Sequence, residues 1–241
     1  MSAYIVHINN AKGDDGMTPT TARSKVGDGA SVAAISSREA NRIVVAEHYL
    51  HRKTNISHAF GLTVGGVVVG VVTFGTPPSR HLQVGACPSA PSLVIELNRL
   101  WVCDSMQRNT ESWFVARAVR LLPPRIIVSY ADTKAGHVGH VYRALNFKYA
   151  GWTDMDRKTP RYDYVVEGKH SRDAFRLGGD SPRFARKVRR VPKVKYWTVS
   201  GDRRDRARLV ALCGWPCLSW SSTPPPPALP PIALTSGVVG A

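Results

Sequence analysis

The first half of the chain alternates polar and apolar residues with periods that indicate a helix and two strands. Apolar side chains recur at helical spacing through residues 38–52, behind a serine pair that can cap a helix. Residues 59–63 and 67–74 are rich in β-branched side chains and flank a Gly-Gly pair. That pattern is typical of a β-hairpin. We therefore expect a helix followed by two antiparallel strands.

The pattern continues beyond a loop with strands and helices in alternation. A helix is expected to end where two consecutive prolines follow it, because proline cannot continue a helix. The predicted elements are a strand at 93–102, a helix at 111–122, a strand at 125–128, a helix at 137–145, and strands at 147–152 and 162–167. This order predicts an α+β fold with a mixed sheet and helices on both of its faces.

Composition divides the 241 residues into four parts. Residues 1–30 are rich in Gly, Thr and Asp, and we expect a flexible arm. Residues 31–170 are expected to form the folded domain. Residues 171–212 are expected to form a basic extension that binds nucleic acid, and residues 213–241 a Pro-rich disordered tail. The chain is 43% hydrophobic, which is enough to form a core.

The cysteines and the N-terminus indicate where the protein works. Four cysteines without a paired framework favour reduced thiols. The N-terminus lacks the basic and apolar segments of a signal peptide, and no apolar run reaches the roughly 18 residues that cross a bilayer. We therefore expect a cytoplasmic protein without a membrane partner.

The net charge of +16 predicts a polyanionic partner, most simply nucleic acid. Eleven Lys or Arg residues but only two Asp lie between positions 181 and 210, together with Tyr196 and Trp197. Cations interleaved with aromatic rings are typical of surfaces that contact phosphates and stack on bases. A solvated basic segment without specific contacts is the alternative. The expected contact residues are Arg52, Lys169, Arg172, Arg186, Lys187, Arg189, Arg190, Lys193, Lys195 and Trp197.

Three reactive side chains follow the strand at 125–128. Ser129, Tyr130 and Asp132 bring a hydroxyl, a phenol and a carboxylate to a strand end, where α/β proteins usually carry their functional groups. Asp132 could orient a base or accept a proton, and Ser129 or Tyr130 could act as a general acid. The alternative is a helix-capping turn, since Asp is a favoured cap.

The first helix ends in a dense group of polar side chains. His48 and Tyr49 are candidates for a general base and for substrate orientation, because histidine titrates near neutrality. The alternative is a helix C-terminus at which basic side chains favour the dipole. A metal ion bound by His48 and His51 is a further hypothesis. Its third ligand would come from Asp132, His137 or Glu96.

The strand at 93–102 is interrupted by Glu96, Asn98 and Arg99. Polar residues inside an apolar strand indicate either a binding role or a buried ion pair, and one of these positions is expected to be buried or bulged. The functional reading is recognition of a donor carbonyl or of a substrate carboxamide.

The order of the elements resembles that of the GNAT acyltransferase superfamily, which implies a splayed central sheet. The resemblance covers about residues 35–168 and includes ELNRLWV, the following helix, and the segment from Ala131 to Phe147. It implies that Tyr142 and Phe147 close the site over the donor.

One loop departs from that superfamily. The loop at 104–112 has no glycine where those enzymes have a Gly-rich loop for coenzyme A, so acetyl-CoA is in doubt as the donor. Arg108, Asn109 and Ser112 could still hold a phosphate or carboxylate. His137 and Gly139 could line the donor site, where a small residue permits close approach of a ligand.

Several strings together resemble the Mom-type phage DNA modification proteins. They are AEHYLHRK, GVVTFGTPPS, ELNRLWV, NTESWF, IIVSYADTKAGHVGHVYRALNFKYAGWT and EGKHSR. The resemblance implies transfer of a carbamoylmethyl group from an acyl or glycine-derived donor to the N6 amine of adenine. The substrate would be double-stranded DNA in the cytoplasm of an infected bacterial cell, and the modification would protect phage DNA from restriction.

Two other functions stay open. One is an acetyl-CoA-dependent N-acyltransferase acting on a small amine or a protein. The other is a basic DNA-binding protein without catalytic activity. The identity of the donor, the use of a metal ion and the oligomeric state are also left open by the sequence.

Overall fold

A computed structural model describes residues 29–154, 158–159, 161–166, 169–170 and 186–220. The strands are β1 (Ala30–Ala34), β2 (His58–Val64), β3 (Val67–Gly75), β4 (Val94–Val102), β5 (Ile126–Ala131), β6 (Lys148–Trp152), β7 (Tyr162–Val166), β8 (Lys169–His170), β9 (Arg186–Arg189) and β10 (Val194–Val199). The helices are α1 (Ser37–Glu47), α2 (Arg80–Ala86), α3 (Thr110–Arg120), α4 (His140–Ala144) and α5 (Arg203–Leu212). None of these helices is long and apolar enough to cross a membrane.

Seven strands form the central sheet in the order β1-β2-β3-β4-β5-β10-β6. The pairs of neighbouring strands are antiparallel except β4 and β5, which are parallel. β4 and β5 pair only from Val94 opposite Ile126 to Glu96 opposite Val128, and they diverge beyond that point. The predicted mixed, splayed sheet is therefore confirmed. We call the opening between the diverging strands the β4–β5 mouth.

Helices cover both faces of the sheet, as predicted. On one face, Ile43 and Val44 of α1 pack in a buried cluster over β2 and β3. Leu209 of α5 and Ala86 of α2 pack in a second cluster on that face, against Val128 and Trp197. On the other face, α3 contributes Phe114, Val115 and Ala118 to the largest cluster.

Local sequence signals place the first elements. Ser36 caps α1 by accepting a hydrogen bond from the backbone N–H of Glu39, at 3.1 Å. The predicted helix is three to five residues too long at its C-terminus, because α1 ends at Glu47 and the backbone of His48 is extended. The hairpin of β2 and β3 turns at Gly65 and Gly66, which both have positive φ.

The expected boundary between a folded domain and a basic extension at residue 170 is wrong. β10 lies between β5 and β6, and its side chains Val194, Tyr196, Trp197 and Val199 are buried. Burial of these apolar residues in the sheet outweighs the charge of the flanking segment. β7 was expected to be the last strand of the sheet, but it pairs with β8 and β9 in a separate three-stranded sheet.

The Pro-rich tail was expected to begin at residue 213, but residues 213–220 pack on the domain. Trp215 and Trp220 join the two large clusters, and the backbone N–H of Leu218 donates to the carbonyl of Tyr149 at 2.8 Å. The indole N–H of Trp197 donates to the carbonyl of Pro216 at 2.9 Å. Aromatic burial explains why this segment is ordered despite its proline content. Residues 1–28 and 221–241 lie outside the described residues.

Candidate active site

Titratable side chains from three parts of the chain meet at the β4–β5 mouth. β4 contributes Glu96 and Arg99, β5 contributes Tyr130, and the residues that follow α1 contribute His48 and Tyr49. The charges of these groups interact, since Arg99 affects the pKa of His48, Tyr49 and Glu96. These side chains lie where the divergence of β4 and β5 opens the sheet.

His48 is a neutral hydrogen-bond donor in this site. The imidazole is 5% exposed, and its Nδ1 accepts a hydrogen bond from the backbone N–H of Leu50 at 3.1 Å. Burial, with Arg99 and other cationic neighbours, lowers the pKa of His48 to about 4. The proton of the neutral ring therefore resides on Nε2. The expected role as general base does not fit this tautomer, because the lone pair is already engaged.

Tyr49 links His48 to the loop after β5. Its ring stacks on the ring of His48, with centroids 4.4 Å apart, and contacts the ring of His137 at 5.2 Å. Half of Tyr49 is exposed, so one side of this aromatic run faces solvent. Burial of the phenol, with the charge of Asp132, raises the pKa of Tyr49. Tyr49 is therefore placed to donate a hydrogen bond or to stack on a planar ligand.

Glu96 is the group whose titration is shifted into the neutral range. Burial of its carboxyl raises the pKa of Glu96 to about 7, although Arg99 and Lys193 act in the opposite direction. A carboxyl with that pKa can accept a proton near neutral pH. Among the described residues, the Nε of Arg99 is buried without a hydrogen-bond partner. A ligand bound in the mouth could accept a hydrogen bond from this N–H group.

Both polar ends of the Asn98 side chain are hydrogen-bonded to other parts of the domain. Its side-chain oxygen accepts a hydrogen bond from the hydroxyl of Thr73 at 2.6 Å, and its amide donates to the carbonyl of Asn55 at 2.8 Å. The β3–β4 register shifts between Thr73 and Phe74, which pair with Arg99 and Leu97. The sequence-predicted bulge is thus confirmed at Asn98, and both polar ends of the amide are engaged there.

Ser129 and Tyr130 point to opposite faces of the sheet. Ser129 is fully buried and donates to the carbonyl of Leu97 at 3.0 Å. Its oxygen lies 2.7 Å from the hydroxyl of Tyr142. A carbonyl can only accept, so Tyr142 is the donor in the second bond. Ser129 thus bridges the diverging strands just beyond their last backbone pair, and this bonding leaves it no free proton to act as an acid.

Tyr142, which is hydrogen-bonded to Ser129, packs against other aromatic rings. Burial raises the pKa of Tyr142 to about 12, and its ring contacts those of Phe147 at 5.4 Å and Tyr196 at 4.8 Å. The expectation that Tyr142 closes a site over the donor stays a prediction.

Tyr130 faces a tryptophan that the sequence reasoning missed. Its ring meets Trp215 edge to face, with centroids 6.3 Å apart, and Nζ of Lys195 lies 5.4 Å from the Trp215 ring. Burial and the charge of Glu96 raise the pKa of Tyr130, so its proton is retained at neutral pH. Trp215 lies in a Pro-rich context, and only its aromatic character could have indicated a packed position.

Asp132 caps the turn that follows β5. One carboxylate oxygen accepts the backbone N–H of Lys134 at 3.2 Å, and the other lies 2.7 Å from Nζ of Lys193. The capping alternative therefore describes these contacts better than a role as proton acceptor, since both oxygens have partners.

The loop before α3 lines a cavity of about 330 Å³ together with α4. The predicted residues Arg108, Asn109 and Ser112 all line it, and His140 contributes from α4. Asn109 has φ of +71° and provides no side-chain cap to α3, although the N–H of Thr110 donates to the carbonyl of Gln107 at 3.2 Å.

Gly139 was expected to allow a ligand to approach, but a side chain fills the space. It has φ of +85°, and a Cβ there would overlap the hydroxyl and ring of Tyr196. The Tyr196 hydroxyl donates to the carbonyl of Val138 at 3.0 Å. The glycine therefore permits tight packing of a tyrosine.

The hypothesis of a metal ion between His48 and His51 has no ligand set in the part of the chain that the structure describes. No group of three His, Cys, Asp or Glu residues there is placed to hold a metal ion. Nδ1 of His51 lies 3.0 Å from the carbonyl of Val45 and is engaged with the helix end.

Several of the predicted DNA-contact residues have other partners. Trp197 is 2% exposed and cannot stack on a base, which corrects that expectation. Lys193 pairs with Asp132, and Arg190 forms an ion pair with Asp163. Lys187 and Arg189, which both lie in β9, stay predictions; Nζ of Lys187 is 4.2 Å from the centroid of the Tyr162 ring.

The remaining predicted DNA-contact residues stay predictions. The charge of Arg52 acts to lower the pKa of Tyr49, which lies beside the mouth. Lys169 and Arg186 lie in β8 and β9, and Arg172 lies outside the described residues.

The mixed, splayed sheet, with titratable groups at the opening between β4 and β5, defines an α+β protein. The chain belongs to the Mom protein family, whose profile matches residues 30–197. It is 36% identical over 129 residues to the methylcarbamoylase Mom of Escherichia phage Mu. That match covers 50% of this chain and 53% of the phage Mu protein, so the chain spans about half the length of this relative.

Solved structures with a similar arrangement include two acetyltransferases. The N-acetyltransferase from Staphylococcus aureus Mu50 is 15% identical, with a TM-score of 0.40, over 70% of this chain and 98% of that one. A GNAT-family acetyltransferase from Streptococcus pneumoniae is 9% identical, with a TM-score of 0.40, over 71% of this chain and 99% of that one.

Proposed function

We propose that this protein is a phage DNA modification enzyme that transfers a carbamoylmethyl group to the N6 amine of adenine. Membership of the Mom family and similarity to a protein named methylcarbamoylase support the transferase activity. The net charge of +16 supports double-stranded DNA as the substrate. The reaction would take place inside an infected bacterial cell and would protect phage DNA from restriction.

The observation that carries this proposal is the carboxyl of Glu96, with a pKa of about 7 at the β4–β5 mouth. The exocyclic amine of adenine is a weak nucleophile, because its lone pair is delocalised into the ring. A base that removes a proton during attack makes the reaction feasible, and such a base works best when its pKa is near the working pH. Glu96 therefore replaces His48 as the candidate base.

The step is a substitution at a carbon of the donor. The N6–H bond breaks and its proton passes to the Glu96 carboxylate while nitrogen forms a bond to the donor carbon. The bond from that carbon to its leaving group breaks, and the electron pair departs with the leaving group. In this proposal, Arg99 and the Nε2–H of His48 would donate hydrogen bonds to the carboxamide of an acyl or glycine-derived donor, since the Nε of Arg99 has no partner and the Nδ1 of His48 is already engaged.

The target amine lies inside a base-paired stack, so the base must be extruded from the duplex at a cost of roughly a few kcal/mol. Tyr49, which is half exposed, and Tyr130 beside Trp215 are the rings against which an extruded adenine would stack. Cationic residues around the mouth, including Arg52, would offset the cost by binding phosphates.

Mass spectrometry of nucleosides from DNA co-expressed with the protein tests the proposal. The wild type is expected to yield N6-carbamoylmethyl-deoxyadenosine, and Glu96→Gln to lower its yield by roughly 10²- to 10⁴-fold. Glu39→Gln makes the same chemical change at a half-buried position of α1, away from the mouth, and is expected to match the wild type. Wild-type DNA without the modified nucleoside would overturn the proposed function, whereas full activity of Glu96→Gln would overturn only the role of Glu96 as the base.

The cavity at the start of α3 favours a second candidate, an acetyl-CoA-dependent N-acyltransferase acting on a small amine or a protein. Its position at the N-terminus of α3 and the guanidinium of Arg108 suit a phosphate-bearing donor. The absence of glycine from residues 104–112 counts against it. Calorimetric titration with coenzyme A separates the two, because saturable binding that Arg108→Gln abolishes would favour the acyltransferase.

A further inference from the structure

The small sheet of β7, β8 and β9 presents two exposed aromatic rings on one face. Tyr162 and Tyr164 are two residues apart in β7, so their side chains leave the strand on the same face. They are 38% and 48% exposed. Exposed tyrosines at successive positions of one sheet face are uncommon without a partner, because they leave apolar ring surface in water.

Cations stand beside the same two rings. In the antiparallel register Arg189 lies opposite Tyr162, and Lys187 lies opposite Tyr164. Side chains that lie directly opposite each other in a register share a face of the sheet. Nζ of Lys187 is also 4.2 Å from the centroid of the Tyr162 ring, which is a cation–π contact. We call these four residues the tyrosine platform.

The acidic residue of β7 does not weaken this positive surface. Asp163 lies between the two tyrosines in sequence, so its side chain leaves the strand on the opposite face. There it forms an ion pair with Arg190, and the same contact raises the pKa of Arg190. The tyrosine platform therefore combines two rings and two cations, and the one carboxylate of β7 is neutralised on the other face.

We propose that the tyrosine platform binds unpaired nucleotides of DNA, with the rings stacked on bases and the cations on the intervening phosphates. The inference rests on the proposed function for the nature of the partner. Sheets that carry exposed aromatic residues and cations recognise single strands in this way, because every base has a face that can stack. Extrusion of a target base unpairs nucleotides of both strands, and these are what the platform would hold.

The charges favour this occupant over a protein or a second copy of this chain. A second copy would bring another pair of cations against the first pair, which is repulsive at short range. Duplex DNA could contact the cations, but its bases are stacked inside the helix and leave the rings without a partner. Unpaired nucleotides satisfy both features of the face.

Fluorescence anisotropy of the full chain with labelled oligonucleotides tests the platform. Tyr162→Leu with Tyr164→Leu is expected to weaken binding of a single-stranded 12-mer by roughly tenfold or more, since stacking contributes about 1–3 kcal/mol for each base. Binding of a blunt duplex is expected to change less than about twofold. Tyr162→Phe with Tyr164→Phe retains the rings and is expected to bind the single strand like the wild type.

Two further variants separate stacking from charge. Lys187→Gln with Arg189→Gln removes the platform cations and is expected to weaken single-strand binding and reduce its salt dependence. Arg203→Gln with Arg204→Gln removes the same charge from exposed positions of α5 and is expected to have a smaller effect. Unchanged single-strand binding by the leucine variant, or equal effects of the two charge variants, would overturn the platform.

The outcome can be distinguished from failure of the proposed function. A wild type that yields no modified nucleoside but loses single-strand affinity in the leucine variant supports the platform and rejects the proposed activity. A wild type that modifies DNA, with a leucine variant that binds the single strand normally, supports the activity and rejects the platform. A chain that binds neither duplex nor single strand rejects both.

Discussion

Nζ of Lys193 lies 2.7 Å from Oδ2 of Asp132, and this ion pair joins the end of β5 to the segment that enters β10. The second carboxylate oxygen caps the turn through the backbone N–H of Lys134. Asp132, which the sequence suggested for proton transfer, thus links two adjacent strands and a turn. The carboxyl whose pKa is shifted toward neutrality at the mouth is that of Glu96.

Replacement of Asp132 should affect stability through this turn. Asp132→Ala is expected to lower the free energy of unfolding by about 1 kcal/mol, because it removes a cap and a partly exposed ion pair. Asp132→Asn keeps an oxygen that can accept from Lys134, and it is expected to cost less. Urea denaturation followed by circular dichroism measures both. Equal losses in the two variants would contradict a capping role.

The pKa of His48, lowered to about 4, predicts acid-dependent unfolding. The folded state binds this proton less tightly than the unfolded chain, whose ordinary value is 6.5. The contribution to stability is complete above pH 6.5 and is lost as the pH falls through about 4, by about 3 kcal/mol at most. In His48→Gln this part of the pH dependence should vanish in urea titrations at pH 4 and pH 7.

The ring itself can be observed directly. In ¹⁵N NMR spectra His48 is expected to remain neutral between pH 5 and pH 8, with its proton on Nε2. A titration midpoint of His48 near pH 6.5 would contradict the lowered pKa. A proton on Nδ1 would contradict the hydrogen bond from the backbone N–H of Leu50.

The contribution of the Glu96 carboxyl to stability depends on pH in the opposite direction to that of His48. Its pKa in the folded state, about 7, lies above the ordinary value of 4.5, so its contribution to stability is present below pH 4.5 and is lost as the pH rises through about 7. Glu96→Gln is therefore expected to be about 1–3 kcal/mol more stable than the wild type at pH 8, with little difference at pH 4. Denaturation at the two pH values measures this gain.

Stabilisation combined with loss of DNA modification would identify Glu96 as a residue kept for chemistry. The wild type should lose modification as the pH falls below about 7, since the base becomes protonated. A flat activity profile between pH 6 and pH 8 would contradict this assignment.

Two glycines with similar backbone angles should respond differently to alanine. Gly136 has φ of +77° with open space around it, whereas a Cβ on Gly139 would overlap Tyr196. Gly136→Ala is expected to cost about 1 kcal/mol through backbone strain alone. Gly139→Ala should cost several kcal/mol, because the Tyr196 ring must move. Thermal denaturation of the pair measures the difference, and equal costs would show that Tyr196 moves freely.

The segment at 213–220 should contribute measurably to stability. A chain that ends after residue 212 loses Trp215, Trp220 and the bond from Trp197 to Pro216. Compared with a chain that ends after residue 220, it is expected to lose about 3 kcal/mol or more in free energy of unfolding. Denaturation midpoints of the two chains in urea test this, and coinciding midpoints would show that the segment does not stabilise the domain.

Sequence patterns predicted the elements whose own residues determine their structure. The hairpin of β2 and β3, the cap of α1 at Ser36 and the bulge at Asn98 depend on residues within one or two strands, and their signals are local. The Mom family was recognisable from short strings, and the splayed sheet was expected from the order of the elements, which resembles that of the GNAT superfamily.

The roles of individual site residues depended on contacts that no local pattern contains. Glu96 is shifted to a pKa of about 7 by burial between two diverging strands, and Nδ1 of His48 is engaged because the chain turns sharply after α1. Segments 194–199 and 213–220 were hidden by charge and proline, since composition averages over the few apolar residues that the sheet buries.

The sequence by itself determined the fold class, the family and the presence of reactive side chains near positions 48, 96 and 130. Only the tertiary structure decided which of these and their neighbours are engaged in hydrogen bonds or ion pairs, because protonation and hydrogen-bond occupancy depend on residues distant in the chain. Ser129, Asp132 and His48 are engaged by Leu97, Lys193 and Leu50, and Glu96 is left as the titrating group.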